Sequence, residues 1–156
     1  MTSEKFVLEN VKNLISIIIA VDNLTIKQRS YCMSRVKGKD TGLEKVVRSE
    51  LYKRGLRFRK HKSSLPGKPD IVFIKAKVAV FLDGDFWHGY RFPQWEHKLP
   101  KFWKKKIGET RKRDQRHFAK LRRMGWTVIR IWEHSIEKDL AGVIRRICKT
   151  YKKASQ

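Results

Sequence analysis

One stretch, residues 65–89 with the sequence LPGKPDIVFIKAKVAVFLDGDFWHG, restricts the fold more than any other. Pro66, Gly67 and Pro69 force a turn, and the runs 71–74 and 77–82, rich in Val, Ile and Phe, then read as two short strands. A turn at 75–77 makes them antiparallel, so Asp70 at the start of the first is expected beside Leu82 and Asp83 at the end of the second. Asp85 and His88 follow immediately. Carboxylates placed this way can share a hard divalent cation such as Mg²⁺, with the Leu82 backbone carbonyl as a further oxygen ligand. Asp83 before Gly84 also suits a plain turn, and that reading stands level with the first for Asp83 alone. A lone histidine is more often structural than catalytic. Beside a metal site, however, the neutral His88 imidazole could take a proton from an attacking water.

These acids sit in a strongly basic chain. Lys and Arg number 38 against 15 Asp and Glu, a formal charge of +23. The first 24 residues set Glu4, Glu9 and Asp22 against Lys5 and Lys12, so the excess lies from Thr25 onward. A polyanion such as nucleic acid is the expected partner there. An acidic membrane surface is the weaker reading, because no long uncharged apolar helix is present. With 156 residues, 40% of them apolar, the chain can bury one ordinary core. A single domain over 25–156, preceded by an extension over 1–24, is therefore expected. The run LISIIIAV at 14–21 is too short to span a bilayer and lacks the basic start and cleavage site of a signal peptide. Cys32 and Cys148 are too few for a disulfide framework and no zinc spacing occurs, so a reducing cytoplasm fits, with two thiols favoured over a disulfide.

Along the chain, a helix over about 26–36 would present Arg29, Arg35, Lys37 and Lys39, with Met33 among them, to a phosphate backbone. For each base singly, a solvated surface is the plainer reading. Thr41 and Glu44 have capping-box spacing before the stripe Leu43, Val46, Val47 and Leu51, and Gly55 ends that helix. Glu44 thus has a structural task, which the local pattern favours over a catalytic one. Residues 56–60 alternate as a half-buried strand. Residues 98–123 hold twelve bases against Glu109 and Asp114. Pro100 and the partial stripe Trp103, Ile107, Phe118 and Leu121 predict a long helix there, stopped by Gly125, with a basic face along the phosphates. A strand at 126–132 follows. Ser135 is a candidate cap for a closing helix that lines up Leu140, Val143, Ile144, Ile147, Cys148 and Tyr151. This order makes an α/β or α+β domain with a small mixed sheet flanked by helices. Phe86 and Trp87 are adjacent, so a regular strand cannot turn both into one core. An exposed one would stack on or wedge between bases, with core filling the alternative for Phe86.

The runs PGKPD, FLDGDFWHG, FWKKKIGETRKRDQR and GWTVIRIWE, in that order between residues 25 and 147, resemble the very-short-patch mismatch repair endonucleases, the Vsr family. The resemblance implies a restriction-endonuclease-like core of the PD-(D/E)xK class. It also implies nicking of double-stranded DNA beside a T:G mismatch on the T strand, dependent on one or two Mg²⁺ ions and leaving a 5′-phosphate and a 3′-hydroxyl. Under it, Asp70 is the metal-binding aspartate, His88 works on the water, and Glu44 assists, which overturns the capping preference. Leu82 supplies a carbonyl, and Asp83 stands where a histidine is usual and could bind metal itself. Phe86, Trp87 and Trp103 match aromatics that wedge beside the mismatch, and Met33 a residue approaching from the minor groove. Arg35, Lys68, Lys105, Arg111 and Arg113 are the bases expected on the DNA. Zinc ligands of the family fall at Asp85, Tyr90, Phe92 and His134, of which at most two could ligate, so no structural zinc is expected and packing of Tyr90, Phe92 and Trp95 is expected instead. Family members begin near the equivalent of Asp22 or Asn23, which suggests an upstream start for residues 1–24. A monomer in the prokaryotic cytoplasm, associated with the nucleoid and with DNA-repair proteins, completes the expectation. The alternatives are a nuclease of the same fold acting on unmodified, branched or damaged DNA, and a non-catalytic nucleic-acid-binding protein whose carboxylates only form turns.

Overall fold

The computed structural model describes residues 25–34 and 40–156. The expectations for residues 1–24, Arg35, Lys37 and Lys39, and for the side chains of Cys32 and Met33, lie outside the described residues. Short runs of Val, Ile, Ala and Phe build a four-stranded sheet in the order β1 (Arg59–Lys60), β2 (Ile71–Phe73), β3 (Val78–Asp83), β4 (Thr127–Trp132). The first two contacts are antiparallel, and β3 pairs with β4 in parallel. The sheet is therefore mixed. In the β2–β3 register Ile71 opposes Val80, which carries Asp70 to the end where β3 finishes. The strand expected over 56–60 shortens to two paired residues, because Leu56 and Phe58 turn into the core before the ladder begins.

Alternation divides the side chains between two faces. Ile71, Phe73, Val78, Val80, Ile129 and Ile131 pack with Val47 and Leu51 of α2 (Gly42–Lys53) and with the closing helix α5 (Leu140–Ala154). The stripe of α5 meets this face as expected, Val143, Ile144 and Ile147 being buried and Leu140, Cys148 and Tyr151 packed beside them. Val72, Ala79 and Phe81 face the other way, against Phe118 and Leu121 of the long helix α3 (Lys101–Arg123). Ser135 is not the cap of α5. It lies inside an additional short helix, α4 (Glu133–Lys138), and Asp139 caps α5 by accepting the Gly142 N–H at 2.8 Å. Cys148 is a free thiol.

Backbone contacts group the chain into two units. Residues 43–90 and 107–156 form the one just described. The described residues among 1–42 and 91–106 form the other, with α1 (Ile26–Ser34) and the first six residues of α3. Helix α1 starts with a reciprocal cap: Thr25 Oγ1 accepts from Gln28 N at 3.3 Å and Gln28 Oε1 accepts from Thr25 N at 3.0 Å. Within this unit Phe92 and Trp95 meet edge to face at 5.2 Å, as do Phe102 and Trp103 at 5.1 Å, and the Arg29 guanidinium lies 4.6 Å from the Phe102 ring.

Candidate active site

The PGKPD turn delivers the first acid. Gly67 takes φ +75°, which favours glycine, and a Cβ there would stand a tight 3.1 Å from the Phe81 ring and 3.2 Å from His117. The chain then enters β2 with the Asp70 carboxylate turned back onto β3, where Oδ2 accepts the Leu82 N–H at 2.8 Å. A strand residue sends its N–H and C=O to the same edge, so the Leu82 carbonyl leaves on the Asp70 side as expected. Asp70 is only 18% exposed at its side chain. Burial pushes its carboxyl up to about 6, with the charges of Glu44 and Asp83 adding to the rise and the Leu82 N–H and His61 opposing it. A buried carboxylate among like charges is a site that gains from a cation. Oxygen donors from a carboxylate and a carbonyl suit Mg²⁺, so these residues fit the ion the resemblance implies.

The second group stands at the end of β3. Gly89 takes φ +67°, and a Cβ there would meet Ile107 at 2.9 Å and Arg111 at 2.7 Å, so glycine lets the 84–90 turn lie against α3. This seats the His88 ring between two acids. Nδ1 is 2.7 Å from Asp114 Oδ2 and Nε2 is 3.4 Å from Asp83 Oδ1. Arg130 of β4 joins the same acids, its Nε 2.6 Å from Asp83 Oδ2 and its NH2 3.0 Å from Asp114 Oδ2. The first contact is a close ion pair that lacks hydrogen-bond alignment. Burial alone would lower the His88 pKa, but the Asp114 hydrogen bond and the Asp83 and Asp114 charges outweigh it and Arg130, and the net shift is upward. Burial raises Asp83 as well, against His88 and Arg130. Asp83, His88 and Asp114 bring ligating atoms within 4.8 Å of one another. Arg130 pairs with both acids, so as the trio stands the imidazole is held between them, and the same three residues could hold a metal ion. Asp83, expected as a further metal ligand, is thus turned toward Arg130 and His88.

Glu44 is buried in the first turn of α2, with Oε2 3.3 Å from Arg48 NH1 and 3.4 Å from His61 Nε2. His61 Nδ1 in turn is 3.8 Å from Asp70 Oδ1. The structure therefore brings together Glu44, Asp70, Leu82, Asp83 and His88, all in the larger unit.

Of the expected DNA contacts, Phe86 and Trp87 are half-buried and meet edge to face at 5.0 Å, Lys68 and Arg113 are exposed, and Arg111 is half-buried. In the smaller unit Lys105 is exposed, whereas Trp103 is only 1% exposed and its neighbour Phe102 faces out at 44%. Trp103, expected to wedge beside the mismatch, is therefore packed away from solvent in this structure. Tyr90 packs on Trp132 at 5.1 Å and on His134 at 4.4 Å, and His134 Nδ1 is 2.8 Å from Asp85 Oδ1. Of the positions that the resemblance pairs with zinc ligands, Asp85 and His134 form this ion pair, Tyr90 packs on His134, and Phe92 packs on Trp95 within the smaller unit.

Asp114, Arg130 and His61 escape a reading of the sequence. For Asp114 a signal exists, since it falls on the stripe Ile107, Phe118 and Leu121 where a charge has no place unless it is paired. Arg130 alternates with Ile129 and Ile131 and so faces α3 with Val128, a weaker sign. His61 gives none.

A small mixed sheet between helices, with acids and an imidazole gathered where β2 begins and β3 ends, defines a nuclease of the restriction-endonuclease-like class. Comparison with known proteins narrows it. The family model "DNA mismatch endonuclease Vsr" matches residues 21–94. The type II nicking enzyme V.XorIIP of Xanthomonas oryzae pv. oryzae is 41% identical over 128 residues, covering 81% of this chain and 93% of that one. The type II nicking enzyme V.NmeDIP of Neisseria meningitidis serogroup C is 39% identical over 122 residues, covering 76% and 82%. The DNA mismatch endonuclease Vsr of Escherichia coli K12 is 38% identical over 109 residues, covering 67% and 69%. The chain belongs to the Vsr family and is a DNA endonuclease.

Proposed function

We propose that this endonuclease nicks double-stranded DNA at T:G mismatches in a Mg²⁺-dependent reaction. The observation that carries the proposal is the Asp70 carboxylate, fixed on the Leu82 N–H and pushed up by burial and then by its acidic neighbours, at one end of a sheet whose other group there is an oriented histidine. Asp70 and the Leu82 carbonyl would hold the ion, which when bound supplies positive charge to the scissile phosphate and its transition state. Asp114 fixes Nδ1 of His88, leaving Nε2 as the nitrogen that accepts a proton from water. Glu44 assists from α2. The outer face of α3 and Lys68 meet the phosphates, and Phe86 and Trp87 flank the mismatched pair. The nick leaves a 5′-phosphate and a 3′-hydroxyl. Relatives named as nicking enzymes and as a mismatch endonuclease support single-strand cutting and mismatch choice. In the same reading residues 25–156 are the endonuclease domain behind an extension, working as a monomer in the cytoplasm at the nucleoid. Among the described residues no helix is long and apolar enough to cross a membrane.

The test is a heteroduplex panel with T:G, other mismatched and matched pairs, cut with and without Mg²⁺ by the native protein and by Asp70→Ala. Nicking confined to T:G, to Mg²⁺ and to the native protein is expected. Uniform cutting across the panel would leave the nuclease and remove its mismatch preference, and equal activity of Asp70→Ala would remove the assigned site.

A further inference from the structure

His61 closes β1 with a left-handed backbone, φ +47°, a conformation that a residue with a Cβ adopts at a cost. Its neighbours give that conformation a use. The His61 N–H donates to the Asp70 carbonyl at 3.3 Å, while the ring, 15% exposed, turns Nδ1 toward Asp70 Oδ1 at 3.8 Å. On its other side Nε2 lies 3.3 Å from NH1 of Arg48, which also reaches Glu44 Oε2 at 3.3 Å. Arg48 can only donate, which favours Nε2 as acceptor and the proton on Nδ1 toward Asp70, and Glu44 Oε2, 3.4 Å from the same nitrogen, is itself held by Arg48. In that tautomer Arg48 donates to Glu44 and to His61, and the His61 Nδ1–H faces Asp70 Oδ1 at 3.8 Å, beyond hydrogen-bond reach.

We propose that His61 is a positioning residue of the nicking reaction, its Nδ1–H aiming the Asp70 carboxylate while Arg48 fixes the ring and ties it to Glu44. This rests on the reading of Asp70 as the metal-binding acid. The Leu82 N–H then holds Oδ2 by a hydrogen bond, while the His61 ring acts on Oδ1 electrostatically across 3.8 Å. Donors behind a ligating carboxylate typically change metal affinity or activity by roughly ten- to a hundredfold when removed.

The test uses substitutions matched to the left-handed backbone. Glycine adopts φ +47° freely and removes the ring, whereas asparagine tolerates it and keeps an amide N–H close to the position of Nδ1. Calorimetric titration of native protein, His61→Gly, His61→Asn and Asp70→Ala with MgCl₂ alone gives a readout independent of turnover, and thermal unfolding in EDTA reports the fold. The expected result is roughly tenfold or greater weakening of Mg²⁺ binding in His61→Gly, recovery of most of the loss in His61→Asn, and no binding in Asp70→Ala. The Mg²⁺ concentration for half-maximal nicking should follow the same order. A folded His61→Gly that titrates like the native protein overturns the proposal, as does a His61→Asn no better than glycine. Native-like binding by Asp70→Ala would instead overturn the reading beneath it.

Discussion

Asp114 carries a charge on a helix face otherwise given to Ile107, Phe118 and Leu121, and the partners that hold it there are His88 and Arg130. The pairing has a pH signature. A histidine raised above its ordinary value stays protonated over a wider range and must lose that proton before it can accept one from water. Nicking should therefore climb with pH through a value above the usual 6.5 for histidine, and Asp114→Asn should move the climb to lower pH while lowering the plateau, as pH–rate profiles at saturating Mg²⁺ would report. His88→Ala should cost roughly 10²- to 10⁴-fold in rate. Asp70 gives the opposite kind of prediction, about stability. Its carboxyl is raised to about 6 in the fold, so ionisation is harder folded than unfolded, and the penalty grows from about pH 4 to a constant value above pH 6. In EDTA at neutral pH, Asp70→Asn should be more stable by on the order of 2 kcal/mol, the gain fading toward pH 4, although the variant is inactive. Mg²⁺ should narrow the gap by binding only the native protein. Denaturant unfolding at pH 4 and 7.5 checks the sign.

At the scale of elements, the turn at 84–90 depends on Gly89 to bring His88 against α3. Gly89→Ala should lose about 1–3 kcal/mol in thermal unfolding, from a positive φ and from the collision with Ile107, and should slow nicking more than it weakens DNA binding. The hairpin is also the part most legible from sequence. Period-two alternation between proline and glycine turns is enough to place Asp70, Leu82 and Asp83 at one end. The stripe of α5 is readable for a similar reason, because one apolar face must be buried. Local rules failed where two answers were equally good: Ser135 and Asp139 both cap helices, and only the break after Lys138 selects Asp139. Contacts between distant residues left no local trace. His88 and Asp114 are 26 positions apart, and nothing in either neighbourhood specifies the other. The ring of His61 gains its importance from a backbone angle that no composition rule anticipates.

For the whole molecule, the formal charge of +23 sets the association with DNA. Binding measured against salt should give a steep straight line of log affinity against log concentration, from release of counterions. Exposed Lys105 and Arg113 are expected on phosphates, so Lys105→Ala or Arg113→Ala should each reduce the slope by about one, with a uniform loss across matched and mismatched duplexes. Trp87→Ala, by contrast, should spare the slope and reduce discrimination between the duplexes. The parallel partner of β3 adds a temporal consequence. Arg130 arrives only after α3 has been made, and without it Asp83 and Asp114 would face each other across His88 uncompensated. A ribosome-bound chain that has reached α3 but not β4 holds every acid of the cutting centre without its organising guanidinium. Arg130 is thus the last charged group of this cluster to be made, and the cation that pairs with Asp83 and Asp114 is in place only once β4 has docked on β3.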